Sequence, residues 1–417
     1  MSRFSIIRAM ALAAVVATGL NATTATAANE KDIVFGVLCD RTGPTQSSGV
    51  IMCTAIQDYV RLINSKGGIE GHKIKAIEID TEYKVPQGIE AYERFKKEGA
   101  VSILLYGTPH VQSLQQRMAE DKIPGTSPGF GTATAVDGAR YPYLFPIAAT
   151  FYSQGAAAVK FVSDKLGGLK GKKIGFLFVD NPTGREPIPV LEALAKREGF
   201  ELKTFAVPPP GIEMAAQVLD ISQRFSPDFL ITNLFGRAPS VGIKALNRVG
   251  FPMNKVVSLA WGAAESDIEA AGGGSVADGY YGLQFAGVGT DYDVIKQIRD
   301  MYKAEGKPPP KAMESTVYYN RAVLHTAIQV EAARIAIQNS KDGNITGQDM
   351  KAGFEKISRT SLAKLGDLVP PLQITPADHE GGGWIQVFQV KNGQFTKVTE
   401  WFKAYPEVKA EVVSQQK

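Results

Sequence analysis

The feature that most limits what this chain can become is a regular alternation. Short, apolar, β-branched runs take turns with stretches of helical apolar spacing, and Gly or Pro breaks separate them. Residues 33–39 form a run of the buried-strand type, broken by Gly43 and Pro44. Over residues 49–64, Met52, Ile56, Tyr59, Val60 and Ile63 recur at helical spacing, and Gly67-Gly68 supplies the stop. Residues 73–80 predict a strand, and 86–97 a helix opened by Pro86. Residues 101–106 predict a third strand, with a helix near 112–121. The pattern restarts after Phe151 with a helix over 153–166, and strands over 173–179, 201–207, 228–233 and 255–260. Helices over 189–197, 214–225 and 239–249 fall between those strands, and Pro208-Pro209-Pro210 makes a rigid break. Strand–helix alternation of this kind predicts α/β architecture, here two mainly parallel sheets in tandem with helices on both faces. The last third differs. A strand is expected over 280–285 and a long helix over 313–338. Residues 384–390 and 395–399 then flank Asn392-Gly393, the pair suited to the two positive-φ positions of a type I′ turn. That hairpin must add to one of the two sheets.

The N-terminus reads as a secretory signal. Arg3 and Arg8 precede an alanine-rich apolar run over 10–20, and Ala25-Thr26-Ala27 has the small-x-small form of a cleavage site. The expected signal peptide is 1–27, which directs the mature protein to the periplasm. The apolar run is about half the roughly 20 residues a membrane span needs. No cysteine near the cleavage site offers a lipid anchor. The remaining chain, about 390 residues, is too long for one core and predicts two domains. Net charge is +4, and without Arg3 and Arg8 it is 44 basic minus 42 acidic, or +2. That balance gives no electrostatic case for nucleic acid or an acidic membrane. The two cysteines, Cys39 and Cys53, sit in a chain bound for an oxidising compartment. Spacing alone leaves open whether they pair or remain buried thiols.

Catalytic signatures fail when tested. Residues 125–129 spell Gly-Thr-Ser-Pro-Gly, the form of a nucleophile elbow. The residue after Ser127 must offer a backbone N–H to the oxyanion, and Pro128 has none. His72, His110, His325 and His379 have no zinc-ligand spacing, so no metal is expected. His325 falls in the apolar stretch of the long helix and reads as a satisfied core or surface residue. There is no glycine-rich phosphate loop, so neither nucleotide nor other cofactor is expected.

Thr42-Gly43-Pro44 after the first strand, and Ile63-Asn64-Ser65-Lys66-Gly67-Gly68-Ile69-Glu70-Gly71 at the end of the first helix, resemble the branched-chain amino-acid type of ABC-transporter periplasmic binding protein. The segment 87–99, Ser127-Pro128-Gly129, Val179-Asp180-Asn181, Gly250-Phe251-Pro252, and Tyr319 with Glu331-Ala332 are similar in place to that family's pattern. The resemblance covers nearly the whole mature chain. It implies a type I two-lobed fold, with 32–148 plus 282–372 as one lobe and 149–281 plus 373–405 as the other. Three crossings would form the hinge, with the ligand cleft between the lobes. It also implies a monomer that serves separate permease and ATPase subunits, and no enzyme activity. A free sensory module of the same fold is the rival role.

Ligands of open α/β sheets bind beyond the carboxyl ends of the strands. Those ends give the loops 41–48, 106–110, 127–132, 181–185, 235–237 and 261–262. They supply Arg41, Ser48, Thr108, Pro109, His110, Ser127, Gly129, Phe130, Gly131, Thr183, Phe235 and Trp261 as ligand candidates, and the start of the second half adds Phe151 and Tyr152. The resemblance implies that Thr108 to His110 and Gly129 to Gly131 hold a carboxylate, and that Phe235 is an aromatic lid. The N–H groups of Gly129 and Gly131 are candidate donors, and Arg41, Arg185 and Arg237 are candidate partners of a carboxylate. The resemblance also implies that the position similar to Trp261 often carries an acid for an α-amino group in relatives that bind amino acids; here it is tryptophan, and 150–153 also lacks an acid. The expected ligand is therefore an aromatic or otherwise apolar carboxylate. A hydrophobic amino acid, amide or urea-type ligand is the alternative. Asp378-His379-Glu380-Gly381 reads as structural, near a lobe crossing.

Overall fold

The computed structural model describes residues 32–416, so the expected signal peptide lies outside the described residues. The first half follows the alternation closely: β1 (Ile33–Cys39), α1 (Gln46–Ser65), β2 (Ile74–Asp80), α2 (Val85–Lys97), β3 (Ser102–Leu104), α3 (Thr108–Asp121), β4 (Gly125–Thr126) and β5 (Leu144–Phe145). These strands form one wholly parallel sheet in the order β2-β1-β3-β4-β5. The second series is α4 (Phe151–Leu166), β6 (Lys173–Val179), α5 (Pro182–Arg185), α6 (Ile188–Glu198), β7 (Glu201–Val207), α7 (Ala215–Leu219), β8 (Phe229–Asn233), α8 (Ala238–Arg248), β9 (Val256–Ser258), α9 (Glu265–Ala271), α10 (Gly274–Ala277) and β10 (Tyr281–Gln284). The chain then returns to the first sheet with α11 (Asp293–Ala304), α12 (Thr316–Asn339) and α13 (Gly347–Phe354). It ends with β11 (Gln386–Lys391), β12 (Gln394–Lys397) and α14 (Pro406–Gln415).

The second sheet runs β12-β11-β10-β9-β8-β6-β7. Its strands are parallel except where the terminal hairpin attaches antiparallel to β10. Asn392 and Gly393 take φ of +51° and +75°, as the type I′ turn requires. The hairpin therefore completes the second sheet, and the chain crosses between the sheets three times. Alternation along β6 serves two helix layers: Ile174, Phe176 and Phe178 pack into the larger core, and Leu177 and Val179 into a smaller one on the opposite face.

Three local readings are corrected. Thr108 to His110 are not loop but the first turn of α3, because Gly107 takes the N-cap at φ +84° and Pro109 fits the opening turn. Phe151 and Tyr152 open α4, where the Thr150 side chain accepts a hydrogen bond from the Ser153 N–H. Residues 311–314 form a 3-10 turn, so the long helix starts only at Thr316. Cys39 at the end of β1 is disulfide-bonded to Cys53 of α1, with Cα atoms 6.2 Å apart. No helix among the described residues is long and apolar enough to cross a membrane.

Candidate functional site

The strand-end rule leads to one small cavity. It is lined by Thr45, Ser48, Tyr83, Tyr106, Gly107, Thr108 and Phe130 from the first sheet's loops, and Thr183, Phe235 and Trp261 from the second's. The space within it is about 40 Å³. Ligand pockets ordinarily hold about 300 Å³ or more, so a solute of common size enters only if the two sides part.

The lining is aromatic and hydroxylic, without a charged side chain. Ring contacts run across it in series. Tyr83 meets Tyr106 edge to face at 6.2 Å, Tyr106 meets Phe130 at 6.5 Å, and Phe130 meets Trp261 at 5.5 Å. Glu82 and Tyr83 both have positive φ, a strained turn that delivers the Tyr83 ring to the cleft. A Cβ on Gly107 would lie 2.3 Å from that ring, so the close approach requires glycine. Tyr106 OH lies 3.2 Å from Ser48 Oγ and 3.3 Å from Thr45 Oγ1. Burial pushes the Tyr83 phenol up to about 12 and raises Tyr106 as well, so both stay neutral hydroxyls. Tyr83 OH also stands 3.3 Å from Thr183 Oγ1, a contact between the two sides of the cleft.

The nearby acids are committed elsewhere. Asp40 accepts from Thr45 N, Thr45 Oγ1 and Gly43 N. Asp267 accepts from Tyr318 OH at 2.9 Å and from Ala264 N at 3.0 Å. Two helices present their N-termini to the cavity, α1 through Thr45 and Ser48 and α3 through Gly107 and Thr108. The positive ends of both backbone dipoles therefore face that space.

Of the sequence candidates, Ser48, Thr108, Phe130, Thr183, Phe235 and Trp261 come together on this lining. The others are placed around it. His110 is buried behind Tyr83, with its ring nitrogens 2.5 Å from Tyr106 O and 3.0 Å from Lys84 O. Pro109 belongs to the α3 opening turn. Gly129 N donates to Ile147 O, and Gly131 N donates to Thr108 Oγ1. Those two N–H groups are thus spent on the fold, contrary to the expectation that they await a carboxylate. Gly129 O accepts from Trp261 Nε1 at 2.8 Å, which fixes the indole's edge. Ser127 and Phe151 are buried off the lining. Arg41 pairs with Glu78, and Arg185 with Asp180 at 2.6 Å, so neither guanidinium is held out toward the cavity. Arg237 is exposed. Tyr152 borders a different cavity of about 490 Å³, lined by Arg140, Asp378, Glu380, Lys403 and Lys409 near the crossings. That space is larger, but it lies away from the strand ends, and its Lys409 is engaged by Glu380 at 3.3 Å and Ser153 at 2.5 Å. His379 stacks on Phe145 at 3.9 Å and reaches Leu144 O at 2.9 Å, a packing role.

Sequence reasoning missed Thr45, Tyr83, Tyr106 and Gly107. Thr45, Tyr106 and Gly107 lay inside loops already flagged, 41–48 and 106–110. Tyr83 follows β2, whose carboxyl end obeys the same rule and was the available signal.

The family model described as "Periplasmic binding protein" matches residues 32–394. A crystal structure from the Pseudomonas fluorescens group, described as an ABC transporter permease, is 33% identical, with TM-score 0.82 over 92% of this chain and 95% of that one. A branched-chain amino acid ABC transporter structure from Thermus thermophilus with bound valine is 21% identical, with TM-score 0.78 over 92% of this chain and 99% of that one. A fatty acid ABC transporter substrate-binding protein from Thermomonospora curvata is 18% identical, with TM-score 0.74 over 91% and 94%. None of the curated proteins matches this chain.

Proposed function

This chain belongs to the periplasmic binding protein family, and from that premise we propose that it captures a small apolar or aromatic organic acid and presents it to an ABC uptake transporter. The observation that carries the reading is the lining of the cleft. Four linked aromatic rings offer apolar area, six hydroxyl-bearing side chains offer hydrogen bonds, and no carboxylate among the lining residues is present to meet an ammonium. The N-terminal ends of α1 and α3 favour a negative head group there.

The mechanism is closure. Contacts from both sides, such as Tyr83 with Thr183, exist only when the lobes meet, so a solute that bridges them shifts the population toward the closed form. Apolar burial supplies much of the drive, at about 25 cal/mol per Å² before ordering costs. The lobes would be 32–148 plus 282–372 and 149–281 plus 373–405. The mature protein would work as a periplasmic monomer after removal of 1–27. Closed, it would dock on permease subunits whose separate ATPases power uptake. The fatty acid binding protein among the solved neighbours favours an acid with an apolar body, whereas the neighbour with bound valine favours the amino-acid alternative.

A thermal-shift screen on ligand-stripped mature protein tests this, since anything binding only the native state raises its midpoint. An aromatic or aliphatic acid is expected to raise it where its α-amino counterpart does not. A shift with leucine or valine, and none with the acids, would transfer the assignment to amino acids.

A further inference from the structure

Arg321 is fully buried in α12, and the cleft-facing indole of Trp261 lies over it. Its guanidinium carbon is 5.3 Å from the Trp261 ring, 4.6 Å from Phe285 and 5.7 Å from Tyr318. The hydrogen bonds it donates go to neutral acceptors: Ala260 O at 2.7 Å, Leu283 O at 3.3 Å, and the Gln284 side-chain oxygen. Its Nε is buried with no partner among the described residues. The two acids nearest in its field are Asp267 and Glu265. Asp267 is held by Tyr318 and Ala264, and Glu265 by Ser315, Thr316 and Val317 N. A buried arginine is normally matched by a carboxylate. This one is matched by ring faces and carbonyl oxygens instead.

We propose that Arg321 sets the charge preference of the cleft without touching the solute, its cation acting through the Trp261 ring to favour anions and disfavour ammonium ions. The proposal rests on the reading of this cavity as the solute site. The ring is thin and apolar, so the field crosses it with little screening. A solute charge on the cleft side would stand about 9 Å from the guanidinium. At that distance and an intermediate effective dielectric, the bias is on the order of tenfold in affinity for either sign of charge. The same cation draws on the π density of Trp261, which lowers the ring's attraction for a second cation. Burial pushes Arg321 down to about 10, still protonated at neutral pH. Burial also pushes Asp267 up to about 7, so its compensating charge is only partial there. Arg321 is a positioning residue too, since it ties α12 to the ends of β9 and β10. The test therefore needs a readout that loosened packing does not move.

That readout is the sign of charge met by Trp261. With Trp384→Phe and Trp401→Phe, Trp261 is the single tryptophan, and its fluorescence is quenched with iodide, caesium and neutral acrylamide at low, constant ionic strength. The iodide-to-caesium quenching ratio, normalised to acrylamide, is expected to fall about three- to tenfold in Arg321→Gln and to persist in Arg321→Lys. If Arg321→Gln does not fold, Asp267→Asn decides, because removing that acid should raise the ratio. An unchanged ratio in the variant that folds overturns the proposal. So does a Trp261 that acrylamide never reaches, since a wall that small solutes do not meet cannot read their charge. The result stands apart from the thermal screen: absence of acid binding would sink the assigned solute, and an insensitive ratio would sink the role of Arg321.

Discussion

Gly107 shows how one residue shapes the cleft. Its φ of +84° and the Tyr83 ring against it leave no room for a side chain. Gly107→Ala should cost about 2–4 kcal/mol, from the left-handed backbone penalty plus overpacking. Urea unfolding would measure that loss, and weaker solute binding should accompany it because Tyr83 must move. His325 gives a pH prediction at the same scale. It is buried in α12, shares a 2.6 Å hydrogen bond with Thr126 Oγ1, and is pushed down to about 3 by burial. The folded protein thus keeps it neutral where the unfolded chain, with an ordinary value near 6.5, takes up a proton. Its contribution is complete above about 6.5 and is lost as pH falls toward 3, at up to about 1.4 kcal/mol per pH unit. Stability measured from pH 7 to 4.5 should fall less steeply in His325→Gln than in the parent. The sequence placed this histidine in an apolar helix and favoured a satisfied residue over a metal ligand, and its partner Thr126 agrees.

At the scale of elements, α1 links the cleft to the core. Its N-terminal end carries Thr45 and Ser48, its middle carries the disulfide to β1, and its far half carries Asp58, which accepts from Tyr302 OH and from Tyr319 OH at 2.7 Å. Replacing Cys39 and Cys53 together by serine opens a loop with a sequence separation of 14. That change should cost ~3 kcal/mol on the chain-entropy account, readable as a lowered denaturation midpoint. Removing Asp58 with Asp58→Ala should cost about 2–4 kcal/mol, because two buried hydroxyls lose their acceptor. Helix α12 makes the complementary point. Most of its 24 residues are buried around the whole circumference, so no amphipathic stripe marks its start. Strands β1, β6 and β7 fall on their expected bounds, with Gly or Pro breaks near them, whereas β4 and β5, two residues each, carried no run long enough to be expected.

At the scale of the molecule, the sides of the cleft meet through Tyr83 and Thr183, and again where Glu186 Oε1 accepts from Ala133 N at 2.7 Å. Burial in that seam, with Gln112 at 3.5 Å and the Tyr152 phenol nearby, pushes Glu186 up to about 7 from an ordinary 4.5. On the proposed closure mechanism, closing would therefore take up a proton between those values. The closed form is favoured as pH falls through that window, and that advantage is lost as pH rises through about 7. Small-angle scattering should report a more compact protein at pH 5 than at pH 8, with the difference reduced in Glu186→Gln. Equal radii in the parent at both pH values would rule this latch out.

The sequence by itself determined the alternation of strands and helices, the late hairpin with its Asn-Gly turn, and the loops that supply most of the lining of the small cavity at the strand ends. These are local properties: periodicity, breakers and turn chemistry act over a few residues, and strand ends follow from them. The tertiary structure decided the pairing of Cys39 with Cys53, the diversion of Arg41 and Arg185 to nearby acids, and the spending of the Gly129 and Gly131 N–H groups on the fold. It also brought Tyr83 to the lining and Arg321 beneath Trp261. Each of those outcomes depends on distances between residues far apart in the chain, and only the packed sheets and their crossings set those distances.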